Sequence, residues 1–144
     1  MKKTFAAVTL AFLAGAAMAQ ATPVGLWKTI DDDGKTEKSL VRITENNGVL
    51  TGSIEKVFDA SKQNDVCQKC EDDRHNKPII GLQIIRGVRQ DADDKTLWTG
   101  GTILDPEKGE TYKTRLMPLE GGKKLQMRGY IGFFFRSQVW VRVE

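Results

Sequence analysis

Short segments rich in β-branched and aromatic residues recur along the chain after residue 20, and turn-forming residues separate most of them. Two of these turns carry strong hairpin signals, Asp33-Gly34 and Asn47-Gly48. No segment shows the periodicity of a helix of convincing length. The pattern predicts eight strands, at residues 24–30, 38–44, 49–58, 79–88, 97–104, 111–116, 124–131 and 134–143. We therefore expect an all-β protein.

Alternation within the strands indicates how the sheet is arranged. In the last strand, Val139, Val141 and Val143 alternate with larger or polar residues, as expected for a sheet with one wet face. Glycines inside several strands suit the bends of a small closed sheet. Short successive connections then predict an antiparallel up-and-down barrel, which leaves no open edge. A two-sheet sandwich is the alternative.

The first 19 residues have the pattern of a secretory signal. Lys2 and Lys3 are followed by an apolar stretch at residues 5–17, and Ala17-Met18-Ala19 forms a cleavage site before Gln20. The apolar stretch is shorter than the roughly 20 residues that a spanning helix needs, which argues against a membrane anchor. A second site would start the mature chain at Thr22. We expect a signal peptide at residues 1–19, a single barrel domain at residues 20–144 and a periplasmic location.

Charge limits the class of partner. The formal net charge of the whole chain is +3, and Lys2 and Lys3 contribute two of its 22 basic residues against 19 acidic ones. The mature chain is thus nearly neutral, which argues against nucleic-acid binding. Charged residues also recur within the strands, so an integral membrane protein is not expected.

Cys67 and Cys70 are the two cysteines of the chain, and they lie in a polar segment at residues 59–78 that lacks a strand pattern. In an oxidising compartment such a pair usually forms a disulfide. A redox-active pair is one alternative. A metal site formed by Cys67, Cys70 and His75, with Asp72 or Asp73, is another. Because so long a segment is unusual in a compact domain, we expect it to lie over one mouth of the barrel as a lid.

His75 is the single histidine, so no Ser-His-Asp or Cys-His arrangement is evident. The sequence therefore predicts neither an enzyme nor a cofactor. An eight-stranded barrel can be filled by side chains or can hold one small ligand. The aromatic residues, Tyr112 among them, are candidates either for the core or for a ligand site.

Several motifs in order resemble a known bacterial family: Gly25-Leu26-Trp27-Lys28-Thr29, Cys67-x-x-Cys70, Lys77-Pro78-Ile79-Ile80-Gly81-Leu82, Gly101-Thr102-Ile103-Leu104-Asp105-Pro106 with Gly109 and Tyr112, Leu125-x-x-Arg128-Gly129-Tyr130-Ile131, and Trp140-x-Arg142. Together they resemble the secreted family known as domain of unknown function 2147, across essentially the whole mature chain. This resemblance implies a lipocalin-like barrel, export and no assigned activity.

The Gly-x-Trp motif also resembles the opening of lipocalin barrels, in which the Trp closes one end. The resemblance implies that Trp27 is covered by Arg142, or alternatively by Arg136, through a cation–π contact worth about 0.5–2 kcal/mol. The chain lacks a clear Thr-Asp-x-x-Tyr motif and is shorter than true lipocalins, which argues against transport of a large hydrophobic ligand.

We therefore predict a periplasmic protein that binds a small, partly apolar molecule. Arg128 and Tyr130 are predicted to make polar contacts with it, and Trp27 and Tyr112 are further candidates. The alternative is an envelope interaction or structural protein with a filled barrel, which would use Phe133-Phe134-Phe135 to contact a protein. The third hypothesis is a redox or metal-binding protein that acts through Cys67 and Cys70.

Overall fold

The computed structural model describes residues 21–144, so the predicted signal peptide and Gln20 lie outside the described residues. Eight antiparallel strands follow one another in chain order and close into a barrel, because β1 pairs with both β2 and β8. Their bounds are β1 Gly25–Ile30, β2 Glu37–Asn46, β3 Val49–Val57, β4 Gln83–Gln90, β5 Trp98–Asp105, β6 Glu110–Leu119, β7 Lys124–Ile131 and β8 Phe134–Arg142. The predicted eight-stranded barrel is confirmed.

Turn chemistry sets the register of the first hairpins. Asn47 and Gly48 both have positive φ, 52° and 80°, the conformation that a two-residue hairpin loop between β2 and β3 requires. In the β1–β2 turn, the Asp33 carboxylate accepts hydrogen bonds from the backbone N–H groups of Lys35 and Thr36, both at 2.8 Å. These local bonds end β1 and start β2 without help from the core.

β4 begins later than the sequence pattern predicted. Residues 79–82 form a turn rather than the start of the strand, because the Leu82 amide donates to the Ile79 carbonyl at 3.1 Å and Gly81 adopts a φ of 93°. Ile80 consequently lies 36% exposed instead of facing the core. The predicted strand at residues 79–88 is therefore wrong in its first four residues.

The core fills one end of the barrel only. Its most deeply buried members come from seven strands and contact one another inside the barrel: Trp27, Val41, Ile43, Leu50, Ile85, Val88, Leu116, Leu125 and Trp140. We call this end, where the chain termini of the barrel meet, the closed end. The other end, where the β1–β2, β5–β6 and β7–β8 turns lie, is called the open end.

Candidate functional site

A cavity of about 750 Å³ occupies the open end of the barrel. Its depth is lined by apolar side chains from five strands: Ile54, Ile84, Ile103, Met127 and Trp140. Gly129 also lines the cavity, and because it has no side chain it leaves part of this volume open. The barrel interior is thus closed by side chains at one end and open at the other. The alternative of a filled barrel does not fit this geometry.

Two groups of polar side chains interrupt the apolar wall. The hydroxyl groups of Thr29 and Ser39 lie 2.8 Å apart, and the Ser39 amide donates to the Thr29 hydroxyl. On the adjacent strand β8, the Trp140 indole N–H donates to Gln138 Oε1 at 2.9 Å, and the Gln138 amide nitrogen donates to Asp32 at 2.8 Å. These groups give a ligand polar contacts at fixed positions along an otherwise apolar wall.

Four residues were predicted to contact a ligand, and Tyr112 is the one of them that lines the cavity. Its hydroxyl donates a hydrogen bond to the Glu110 carboxylate. This bond, with burial and the nearby negative charge of Glu110, raises the pKa of Tyr112 to about 12. The phenol therefore remains protonated at neutral pH, and its ring contributes apolar surface near the mouth.

The mouth is held by ion pairs between separate segments of the chain. Lys38 Nζ lies 2.8 Å from Glu107 and 3.8 Å from Asp31, and Lys62 on the lid lies 3.6 Å from the same Glu107 oxygen. The hydrogen bond between Lys38 and Glu107 raises the pKa of Lys38 and lowers the pKa of Glu107. The basic and acidic residues that line the cavity are equal in number: Lys38, Lys62, Lys69, Lys108 and Arg136 against Asp31, Asp32, Asp65, Asp105 and Glu107. The mouth thus carries no net charge.

The lid at residues 59–78 is ordered by local bonds and by a disulfide. Cys67 and Cys70 are joined with a Cα–Cα distance of 5.4 Å, so the predicted disulfide is confirmed. An isolated β-bridge between Val66 and Pro78 closes the base of the loop. Lid residues between Lys62 and Lys69 line the cavity, which places the lid at the predicted mouth.

The metal alternative for Cys67, Cys70 and His75 is wrong, because the two sulfurs are bonded to each other and present no thiolate. His75 Nδ1 lies 2.8 Å from the Cys70 carbonyl oxygen instead. Among residues 21–144, no group of three or more His, Cys, Asp or Glu side chains is arranged to hold a metal ion. Both cysteines are buried, which argues against the redox alternative, since redox-active pairs are partly exposed.

Two arginines anchor the lid to the barrel. Arg74 is buried and binds the Asp72 carboxylate while it donates to the Gln83 carbonyl at 2.9 Å. Arg86 forms a bidentate ion pair with Asp73, in which each terminal guanidinium nitrogen lies 2.9 Å from a carboxylate oxygen. The Arg74 hydrogen bonds lower the pKa of Asp72 to about 2. The second half of the lid is therefore fixed against β4.

Trp27 lies at the closed end, not in the cavity. Its side chain is fully buried, and its indole N–H donates to the Pro23 carbonyl at 2.7 Å. The Arg142 guanidinium lies 4.2 Å from the centre of the Trp27 ring, whereas Arg136 is at the open end and pairs with Asp32. Trp27 is thus a closing residue in this structure and does not belong to the candidate ligand site.

Arg128 and Tyr130 also lie outside the cavity. Alternation along β7 directs Met127 and Gly129 inward and sends these two side chains to the outer face. The Arg128 guanidinium lies over the Phe135 ring instead, 4.0 Å from its centre. Our assignment of Arg128 and Tyr130 to the ligand site is corrected for this reason. The polar wall residues Thr29, Ser39 and Gln138 were not among the ligand residues predicted from the sequence, although strand alternation places each of them inward.

Within residues 21–144, no helix is long and apolar enough to cross a membrane. The eight-stranded closed barrel with a cavity at one end places the chain in the class of lipocalin-like barrels. A solved structure has the same architecture: protein HP1028 from the human pathogen Helicobacter pylori, which is described as belonging to the lipocalin family. It superposes with a TM-score of 0.72 over 86% of this chain and 84% of that chain, at 19% sequence identity. Identity this low shows a common fold alone.

Residues 25–142 match the family described as an uncharacterized protein conserved in bacteria, domain of unknown function 2147, and the chain belongs to this family. The family membership that the sequence motifs indicated is confirmed. A search of functionally curated proteins gives no match.

Proposed function

We propose that this protein binds a small, partly apolar molecule in the open end of its barrel and performs no chemistry on it. The observation that carries the proposal is the cavity of about 750 Å³, which lies within the range of about 300 to 1,000 Å³ typical of ligand sites. Its apolar walls and few fixed polar groups are also typical of such sites.

The lining favours a particular kind of molecule. An apolar body would pack against Ile54, Ile103 and Met127, deep in the cavity. A hydroxyl, carbonyl or amide on the ligand would reach the Thr29–Ser39 pair or Gln138. Because the charges around the mouth balance, there is no electrostatic preference for an anion or a cation. We therefore propose an uncharged or zwitterionic ligand with one polar end.

We further propose that the protein acts in the periplasm. The signal-like pattern of residues 1–19 supports export. The disulfide between Cys67 and Cys70 supports an oxidising compartment, because such bonds are rare in the cytosol. Fractionation of cells that express the full chain tests this location. Recovery of the uncleaved protein in the cytosol would contradict it.

The ligand proposal is tested by narrowing the cavity from inside. An ideal Cβ at Gly129 would lie 3.8 Å from the Tyr112 Cβ and 4.0 Å from Ile103, so Gly129→Ala fits without displacement. Gly129→Leu would extend further into the cavity. We expect the apolar dye N-phenylnaphthylamine to bind the wild type and Gly129→Ala alike, and Gly129→Leu at least about tenfold more weakly. Equal dye affinity in the two variants would refute the site.

Native mass spectrometry of protein purified from its own periplasm, with and without reduction, complements the dye assay. A retained small molecule that is lost in Gly129→Leu would support the proposal. Circular dichroism of both variants checks that the barrel remains folded, so that a loss of dye binding is not a loss of structure.

A further inference from the structure

Charge is distributed unevenly along the barrel, although the mature chain is nearly neutral. Residues 110–142, which form β6, β7 and β8, contain seven Lys and Arg against two acidic residues, Glu110 and Glu120. Residues 21–109 contain 13 basic residues against 16 acidic ones. Because β6, β7 and β8 are neighbours in the barrel, this bias is also a bias in space.

The register of the three strands places four of these basic residues on one outer face: Lys113, Arg115, Lys124 and Arg128. Lys113 pairs with Tyr130, which pairs with Phe135, and in the next row Arg115 pairs with Arg128, which pairs with Ser137. The outward positions of these strands carry no acidic side chain: Lys113, Arg115, Met117, Leu119, Lys124, Gln126, Arg128, Tyr130, Phe135, Ser137, Val139 and Val141. We call this surface the basic face.

Three of the four cations of the basic face lack a compensating ion pair, whereas Lys124 lies 3.4 Å from Glu120. Among the described residues, Lys113, Arg115 and Arg128 form no salt bridge within 4.0 Å, and Arg115 Nε is buried without a hydrogen-bond partner. Hydrogen bonds from Thr96 lower the pKa of Asp94, and the nearby positive charge of Arg115 lowers it further. A surface of this kind attracts an anionic partner.

Three phenylalanines project where the basic face reaches the open end. Phe133 is fully exposed in the turn between β7 and β8, and Phe134 and Phe135 are 79% and 53% exposed. Arg128 and Tyr130 pack against Phe135, with the Tyr130 ring 6.2 Å from the Phe135 ring, so the base of the hairpin is held in place. Exposed apolar side chains at such a density mark a site of interaction.

We propose that the basic face and the Phe133-Phe134-Phe135 hairpin dock on the surface of an anionic lipid bilayer. The phenylalanines would enter the interfacial region, while the neighbouring cations contact lipid phosphates. Lys and Arg beside apolar side chains are suited to this arrangement, because their long stems reach from an apolar layer to the charged headgroups.

The geometry favours a bilayer over a folded protein. Successive residues of a hairpin point to opposite sides, so a rigid partner surface would cover one side of the phenylalanine cluster and leave the other in water. A fluid bilayer surrounds both sides of a projecting tip. A second copy of this chain is disfavoured as well, because a symmetric pairing would bring the same cations together.

Docking in this way would direct the cavity toward the membrane. Ile131 and Arg136, on either side of the phenylalanine turn, both line the cavity. The inference does not depend on ligand binding, since it rests on the outer surface. It would explain how an apolar molecule reaches the cavity without crossing water.

Vesicle co-sedimentation of the ligand-free protein tests the proposal. We expect binding to vesicles rich in phosphatidylglycerol, weaker binding to pure phosphatidylcholine, and a decrease with added salt. Phe133→Ser with Phe134→Ser should weaken binding by about tenfold or more. Lys113→Gln and Arg128→Gln should each weaken it by roughly fivefold.

Matched controls come from the closed end. Val143→Ser removes an exposed apolar residue, and Arg89→Gln removes an exposed cation, each outside the basic face. Both should bind like the wild type. A Phe134→Trp variant should show a blue shift in fluorescence when phosphatidylglycerol vesicles are added, because Trp27, Trp98 and Trp140 are already buried. Failure of the folded protein to bind these vesicles, or equal binding by the double Phe variant, would overturn the proposal in favour of a protein contact.

Discussion

Arg142→Ala should destabilise the barrel more than any other single charge removal on β8, because Arg142 bonds separate segments of the closed end to one another. Its guanidinium donates to the Gly122 carbonyl at 2.5 Å, to Val24 at 2.8 Å and to Thr22 at 2.6 Å, and it covers the Trp27 ring. Burial lowers the pKa of Arg142 from its usual value, and the group remains charged at neutral pH.

The expected cost follows from these contacts. Hydrogen bonds to a charged group contribute roughly 1.5–3 kcal/mol each when they are buried. Two of the three are partly buried, at Val24 and Gly122, and the third, at Thr22, is exposed and counts little. The cation–π contact adds about 0.5–2 kcal/mol. With the low end taken for each bond, Arg142→Ala should lower the free energy of unfolding by about 3–5 kcal/mol.

Urea unfolding followed by tryptophan fluorescence measures this loss, and a thermal scan should show a decrease in Tm of roughly 10–20 °C for a domain of this size. Arg136→Ala is the matched control, since its side chain is exposed and its pair with Asp32 at 3.3 Å should contribute less than about 1 kcal/mol. If the two variants were equally stable, the closed end would not depend on Arg142 and the argument would be wrong.

Three further perturbations have defined outcomes. Gly25→Ala should cost about 2–4 kcal/mol in urea unfolding, because φ is 144° and a Cβ would lie 2.5 Å from the Glu144 carbonyl oxygen and 2.3 Å from the Arg142 guanidinium. Gly48→Ala, with φ of 80° and no atom within 4 Å, should cost about 1 kcal/mol, and equal costs would contradict the clash. Cys67→Ser with Cys70→Ser should lower the free energy of unfolding by about 2 kcal/mol or less, because the loop that the disulfide closes is short. Hydrogen exchange should increase in the lid alone. Faster exchange throughout the barrel would refute a local role for the disulfide. The lowered pKa of Asp72 stabilises the wild-type fold above the usual value of 3.8, and this contribution is lost as the pH falls toward 2. Asp72→Asn should therefore lose less stability than the wild type between pH 4 and 2. Urea midpoints that fall by the same amount in both proteins across this range would contradict it.

The barrel could be predicted from the sequence because its signals are local. The Asn47-Gly48 turn and the two-residue period of the late strands do not depend on distant residues, although in β8 it is Gln138 and Trp140 that face inward and the alternating valines that face outward. The start of β4 was misplaced because its turn is stabilised from elsewhere: Gly81 donates to the Ile54 carbonyl of β3, and Ile79 donates to Asp65 of the lid. Such bonds between distant residues leave no periodic pattern in the sequence.

The candidate site was harder to predict than the fold. Arg128 and Tyr130 were chosen because their motif is distinctive, but a motif does not state which face of the strand its residues occupy. Alternation from the buried Leu125 would have placed Met127 and Gly129 inward. The cavity itself depends on the absence of side chains, above all at Gly129, and on the balance of volumes across several strands. Composition and spacing do not report that balance.

The nearly neutral net charge of the mature chain does not reveal that one face of the barrel is basic. In an up-and-down barrel, strands that are consecutive in the chain are also neighbours in space, so a charge bias within one segment becomes a charged face. Residues 110–142 carry seven Lys and Arg against two acidic residues, while the acidic excess lies in the first five strands and their turns. A net charge near zero therefore excludes an extended nucleic-acid footprint but does not exclude a directional field. The field of the basic face would orient the whole molecule at an anionic surface. Because the charges at the mouth of the barrel balance, the ligand would be selected by shape and hydrogen bonds.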